Sequence, residues 1–267
     1  MLISFWSNMH GQGATSAATA AFASFIAQKT AYKTLVAHNH IERSALEGYF
    51  FKPSGQAGLD LTGLANHGLD ALIRLMRNGR LRPDMIPDYA YSFLKNNRLD
   101  ILTGTEKKEA LNQEDWELFM SILDLSRKFY DLVILDLHSG LSTGCSRELL
   151  ERSDIVVFCV NQNRLLLDDL NRCFERFPFL KEKKSAYIIS RYEKASSMTK
   201  GNLARRYCIN KNIIFEIPES PTFMDALNTG RVFDFVAYYR NAAKSEKRAF
   251  IDSLDRLSDY LIKGWTE

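Results

Sequence analysis

Leu132-Val133-Ile134-Leu135 is an unbroken apolar run closed by Asp136. A strand that is apolar at consecutive positions is covered on both faces, the usual condition of a parallel sheet sandwiched by helices. The rest of the chain agrees with that placement. Short β-prone runs predict strands at Leu2–Trp6, Thr34–Ala37, Leu99–Leu102, Ile155–Val160, Ala186–Ser190 and Ile213–Ile217. Helical spacing puts Ala18, Phe22, Phe25 and Ile26 on one face of an alanine-rich stretch that ends at Lys29. Leu69, Leu72, Ile73 and Met76 share another face, and Trp116, Phe119, Met120 and Leu123 a third. Further helices are expected near 142–152, 164–176 and 196–206, and region 42–98 is less regular. A long last helix carries Phe250, Leu254, Leu257 and Leu261. Strands alternating with helices predict βαβ units in a doubly wound α/β fold, its mostly parallel sheet covered by helices on both faces. With no repeat, low-complexity segment or Pro/Gly/Ser linker, residues 1–267 are expected to form one domain.

Composition narrows the function classes. Lys and Arg number 35 against 32 Asp and Glu, a net +3, too slight a balance to mark a nucleic-acid binder. No apolar run approaches the roughly 18 residues of a membrane span. The opening residues lack the basic lead and cleavage site of a signal peptide. Cys145, Cys159, Cys173 and Cys208 form no CxxC pair and read as buried thiols of a reducing cytosol.

The first strand runs into His10-Gly11-Gln12-Gly13, followed by Ala14-Thr15-Ser16 and the alanine-rich helix. A glycine loop opening a helix at the carboxyl end of a parallel strand presents free N–H groups to an anion. Gly11 and Gly13 let the backbone approach phosphate oxygens, and Thr15 or Ser16 supplies a hydroxyl for Mg²⁺. A P-loop also carries a lysine just before that hydroxyl, and here the position is Ala14. A strand–helix turn with no ligand is the competing reading.

The glycine loop, the later DLVILDLHSG strand and the EIPESPTFMDALNTGRVFDF segment together resemble the MinD/ParA group of deviant Walker ATPases. The resemblance spans nearly the whole chain and is strongest to the TadZ-type ATPases of pilus-assembly and secretion loci. It implies a P-loop NTPase-like fold that binds ATP or ADP with Mg²⁺. It implies nucleotide contacts at His10, Gly11, Gln12, Gly13, Ala14, Thr15 and Ser16 and, on the base side, at Ser190, Arg191, Pro218, Glu219 and Ser220. Mg²⁺ falls to Thr15 and Asp136, the latter at the Walker B position. His38, His40, His138 and Gly140 occupy switch-like positions, and Ala226 and Gly230 match the helix after the base loop. The resemblance further implies a homodimer that sandwiches nucleotide and recruits a partner such as a pilus or secretion motor. A non-hydrolysing scaffold of the same fold is the alternative.

Three departures bear on catalysis. Met9 and Ala14 stand where the family has its two loop lysines, and His38-Asn39-His40 stands in place of an Asp-x-Asp segment. Ser190-Arg191 replaces an adenine-reading Asn. Phosphoryl transfer depends on positioning and charge neutralisation, so these losses leave at most a weak ATPase, and no residue is assigned a catalytic role.

His10, His38, His40 and His138 fall at carboxyl ends of strands and therefore along one edge. They are open to three readings: a polar cleft lining, substitutes for lysine around phosphate, or a metal site with Asp136. Basic clusters at 181–184 and 194–211 read as solvated faces rather than a DNA surface. The last helix mixes Asp252, Asp255 and Asp259 with Lys247, Arg248 and Arg256, which argues for packing on the sheet. Any membrane contact is then peripheral, through a partner.

Overall fold

The computed structural model describes residues 1–40, 44–51, 67–105, 111–141, 144–241 and 248–263. Its strands are β1 (Leu2–Trp6), β2 (Thr34–His38), β3 (Tyr91–Leu94), β4 (Leu99–Ile101), β5 (Leu132–Asp136), β6 (Ile155–Val160), β7 (Lys184–Tyr192) and β8 (Ile214–Pro218). The helices of the first half are α1 (Thr15–Lys29), α2 (Leu46–Phe50), α3 (Gly68–Arg77), α4 (Ile86–Tyr89) and α5 (Gln113–Phe129). The second half adds α6 (Gly144–Arg152), α7 (Arg164–Arg176), α8 (Phe179–Glu182) and α9 (Lys200–Arg206). It closes with α10 (Pro221–Asn228), α11 (Val232–Asn241) and α12 (Arg248–Lys263).

The strands make one eight-stranded sheet in the order β3-β4-β2-β5-β1-β6-β7-β8. All neighbours are parallel except β3 and β4. After β1 the chain moves to one side of the sheet, and after β5 it crosses to the other, so the order reverses at β1. That reversal opens a crevice at the carboxyl end of β1, where ligands of such sheets bind.

Successive strand residues feed two separate cores. Ile3 and Phe5 face α1, α2 and α10–α12, whereas Leu2 and Trp6 face α3–α9. The apolar run of β5 splits the same way, with Leu132 and Ile134 on one side and Val133 and Leu135 on the other. Helix α1 is buried on nearly every face, which explains its composition: alanine leaves room for α11 and α12 to close over it.

The structure revises several boundaries. Strand β7 extends two residues beyond the expected Ala186–Ser190 at each end, with an irregular register after Ile189. Helix α9 starts at Lys200 rather than near 196, because the Thr199 hydroxyl accepts the Asn202 amide and caps it there. Gly230 lies beyond the helix it was matched to, in the turn after α10, with φ of 63°. Only Cys159 is a buried thiol; Cys145 and Cys173 are half-buried, and Cys208 is exposed and outside the helices and strands. Trp265 and Lys247 lie outside the described residues, as does the start of the helix expected from 142. Among the described residues no helix is long and apolar enough to cross a membrane.

Candidate nucleotide site

The loop after β1 is shaped by two glycines for different reasons. Gly11 has φ of 71°, a left-handed conformation that side chains resist. Gly13 is needed for space: a Cβ there would lie 2.5 Å from the Cys159 carbonyl and 2.6 Å from Ser7. Ala14 also adopts left-handed angles, φ 51° and ψ 40°, and sits at the N-cap of α1 without a side-chain cap. The first turn of α1 carries no acidic residue, so its free N–H groups and positive dipole end are unopposed.

Neighbouring strands pin the loop through its carbonyls. Ser190 donates to the Gly13 carbonyl at 2.7 Å. Arg191 and Asn161 donate to the Gln12 carbonyl at 3.3 and 3.1 Å. The Ser190 hydroxyl is thereby committed to the loop. Gly140 is fixed as well: its N–H donates to Ser7 at 3.0 Å, and its φ of 81° favours glycine.

A cleft of about 380 Å³ opens over this loop. The wall at the loop end is His10, Gly11, Gly13, Ala14, Thr15 and Ser16, with His40 and Ser139 nearby. Ser190, Arg191, Pro218, Glu219 and Ser220 form the opposite side. Gln12 contributes through its carbonyl contacts and is absent from the cleft wall, as are His38, His138 and Gly140. The far end is apolar, built by Ile188, Ile217, Phe223, Leu227, Phe250 and Leu254. That end and Tyr49 went unread in the sequence; the spacing of Phe250 and Leu254 marked only a buried helix face. Burial and then the Asp136 charge raise the Tyr49 hydroxyl above its ordinary pKa.

Asp136, at the carboxyl end of β5, is fully buried, and neither carboxylate oxygen has a hydrogen-bond partner among the described residues. His40 Nε2 stands 3.3 Å from Oδ2, at ion-pair distance. A buried carboxylate left this way is poised for a cation or its hydration shell. Thr15, buried at the start of α1, is a second oxygen donor on the same edge. Cys159 lies beneath the loop as an inert thiol: burial raises its pKa far up, and the Asp136 charge adds to this, against a hydrogen bond from Thr15.

The histidines divide into two kinds. His38 is buried and satisfied on both ring nitrogens, accepting the His40 amide at 3.2 Å and meeting Glu47 Oε1 at 2.7 Å. Burial works against the Glu47 charge, yet the His38 contact overcomes it and brings the Glu47 pKa down to about 2. Asn39 stitches β2 to β5, accepting the His138 amide at 2.6 Å and donating to Ser146 at 3.2 Å. His10, His40 and His138 instead gather their rings, His10 to His138 at 5.7 Å and His40 to His138 at 5.5 Å. Met9 packs against the core beside α6 and α7, and Ala14 against the core beside α1. Among the described residues no group of three or more His, Cys, Asp or Glu has the arrangement of a metal site.

No protein-family model matches the chain, and no curated protein matches it by sequence. Solved structures do. A ParA family ATPase from Chlorobium tepidum TLS superposes with a TM-score of 0.73 at 15% identity, over 98% of both chains. The septum site-determining protein MinD from Pyrococcus horikoshii OT3, complexed with Mg-ADP, gives 0.68 at 16% identity, over 98% of this chain and 96% of that one. Cyanothece McdA in an ATP complex gives 0.65 at 19%, over 97% and 95%. At these identities the likeness is one of fold: this chain has the ParA/MinD α/β architecture from end to end.

Proposed function

We propose that residues 1–267 act as one MinD/ParA-like nucleotide-binding unit, an ATP-dependent switch or localisation protein of the cytoplasm. The observation that carries this reading is the uncapped N-terminus of α1 behind its glycine loop, with the Asp136 carboxylate, buried and without a hydrogen bond among the described residues, on the same edge. Phosphate suits the first feature and Mg²⁺ the second. Two proteins of the same fold were seen with Mg-ADP and with ATP, and the reading carries those ligands over to this chain.

In this reading the loop amides from Gly11 to Ser16 hold the phosphates, while Ser190, Arg191 and Asn161 keep the loop in shape. Thr15 and Asp136 hold Mg²⁺. Bound there, Mg²⁺ neutralises phosphate charge. Pro218, Glu219 and Ser220 border the base, and the apolar end of the cleft excludes water around it. Hydrolysis is slow, because Met9 and Ala14 bring no lysine and His38-Asn39-His40 stands where the related ATPases carry an Asp-x-Asp segment to orient water.

Nucleotide then favours a homodimer across this face, which recruits a protein partner; the TadZ-type resemblance suggests a pilus or secretion motor. A scaffold that dimerises without turnover is the second reading, favoured by Met9 packing into the core. Sedimentation equilibrium of the protein alone, with Mg-ADP and with Mg-ATP, separates the two. Dimer formed only with Mg-ATP supports the switch. A dimer indifferent to nucleotide supports the scaffold, and a monomer throughout overturns both.

A further inference from the structure

We propose that His10 and His40 are the side chains that meet the terminal phosphate, with the His138 ring packed against both, at a loop that carries no lysine. This rests on the nucleotide reading above and names the groups that complete it. The three imidazoles come from three different loops, after β1, β2 and β5, yet their rings lie in one chain of contacts. His10 and His138 stack at 5.7 Å with an interplanar angle of 24°, and His40 meets His138 edge-on at 5.5 Å. His10 and His40 lie on the cleft wall beside the amides of the glycine loop.

The rest of the molecule explains why this group and not another. Among the described residues no lysine lines the cleft, and its one guanidinium, Arg191, leans on the Gln12 carbonyl. His38 is excluded because both its ring nitrogens are engaged. His40 Nε2 has no hydrogen-bond partner and stands beside Asp136, so the cluster adjoins the carboxylate expected to hold Mg²⁺. A metal-binding role for the same rings lacks the ligand arrangement among the described residues. A neutral imidazole still carries one N–H, so the two rings on the cleft wall supply donors to a phosphate oxyanion whatever their charge. Lysine delivers a point charge on a long stem, whereas short rings at two loop ends deliver fixed donors.

The test is calorimetric titration at one fixed pH with Mg-AMPPNP, and with adenosine as a probe that has no phosphate. The proteins are wild type, His10→Ala, His40→Ala and the double variant, each checked by thermal melting. Each single replacement is expected to weaken Mg-AMPPNP binding about tenfold, the effect of losing one hydrogen bond to a charged group. Adenosine binding stays unchanged. His10→Gln, which keeps an N–H donor at an exposed position, retains most of the affinity, and Ala14→Lys in the double variant restores part of it.

A folded double variant that binds Mg-AMPPNP like wild type overturns this assignment and leaves the nucleotide reading standing. Equal losses for Mg-AMPPNP and adenosine also overturn it, since they mark a structural role. Wild type that binds no nucleotide removes the nucleotide reading, and this assignment falls with it.

Discussion

Gly13 is where one hydrogen atom decides whether the loop can form. The backbone at this point passes so close to Cys159 and Ser7 that a methyl group has no place to go. Gly13→Ala is therefore expected to cost about 1–3 kcal/mol, the range for overpacking, and to displace the loop. A lowered melting temperature together with lost Mg-ADP binding is the expected result; an unchanged protein would mean the loop has slack. The Glu47–His38 contact sets a second residue-level expectation. The folded pKa of Glu47, about 2, lies below its ordinary 4.5, so its stabilisation is present above pH 4.5 and fades as pH falls toward 2. Glu47→Gln should destabilise the protein by about 1–3 kcal/mol at neutral pH. Chemical denaturation of both proteins across pH should show that gap closing below pH 4.5, and a gap constant with pH would count against the pairing. The two glycines were readable from the loop pattern. Glu47 was not, because it stands on the five-residue α2 in an irregular stretch, where no periodicity points from it to His38.

At the scale of elements, α1 shows how composition encodes position. Its alanines look like generic helix formers, but Ala20 and Ala21 are wholly buried under neighbouring helices. Ala20→Leu changes helix propensity little, so a loss of about 1–3 kcal/mol on denaturant unfolding would report lack of space instead. No loss would mean that α1 packs loosely. Strands β1, β2, β5 and β6 could be read because burial on both faces leaves them mostly apolar, with Ser4, Thr34, His38 and Asp136 as their polar residues. Strand β3 could not: it is a half-buried antiparallel edge of four residues following Pro83 and Pro87. Its one signal was Asn96-Asn97, both at positive φ in the turn that joins it to β4. Helix α11 was missed as well, since its aromatic residues mask a simple periodic face.

Across the whole molecule, the order of strands brings the loop after β1, the end of β2 and Asp136 to one edge, while α12 returns from the far end of the chain to close the cleft. The phosphate end of the site could be foreseen because each part is local: a glycine loop, a strand-end aspartate, histidines at strand ends. The apolar end could not, because Ile188, Phe223 and Leu254 come from separate elements and look like ordinary core residues one by one. Leu254→Ala tests that end, since removing a buried leucine should cost about 2–5 kcal/mol and enlarge the cleft. The central claim is that a loop without lysine still binds nucleotide through its amides, Thr15 and Asp136-held Mg²⁺. Calorimetric titration with Mg-ATP and Mg-ADP, repeated in EDTA, tests it most directly. Saturable binding that prefers ATP and is lost with EDTA is the predicted result, and no heat of binding at millimolar nucleotide would contradict it.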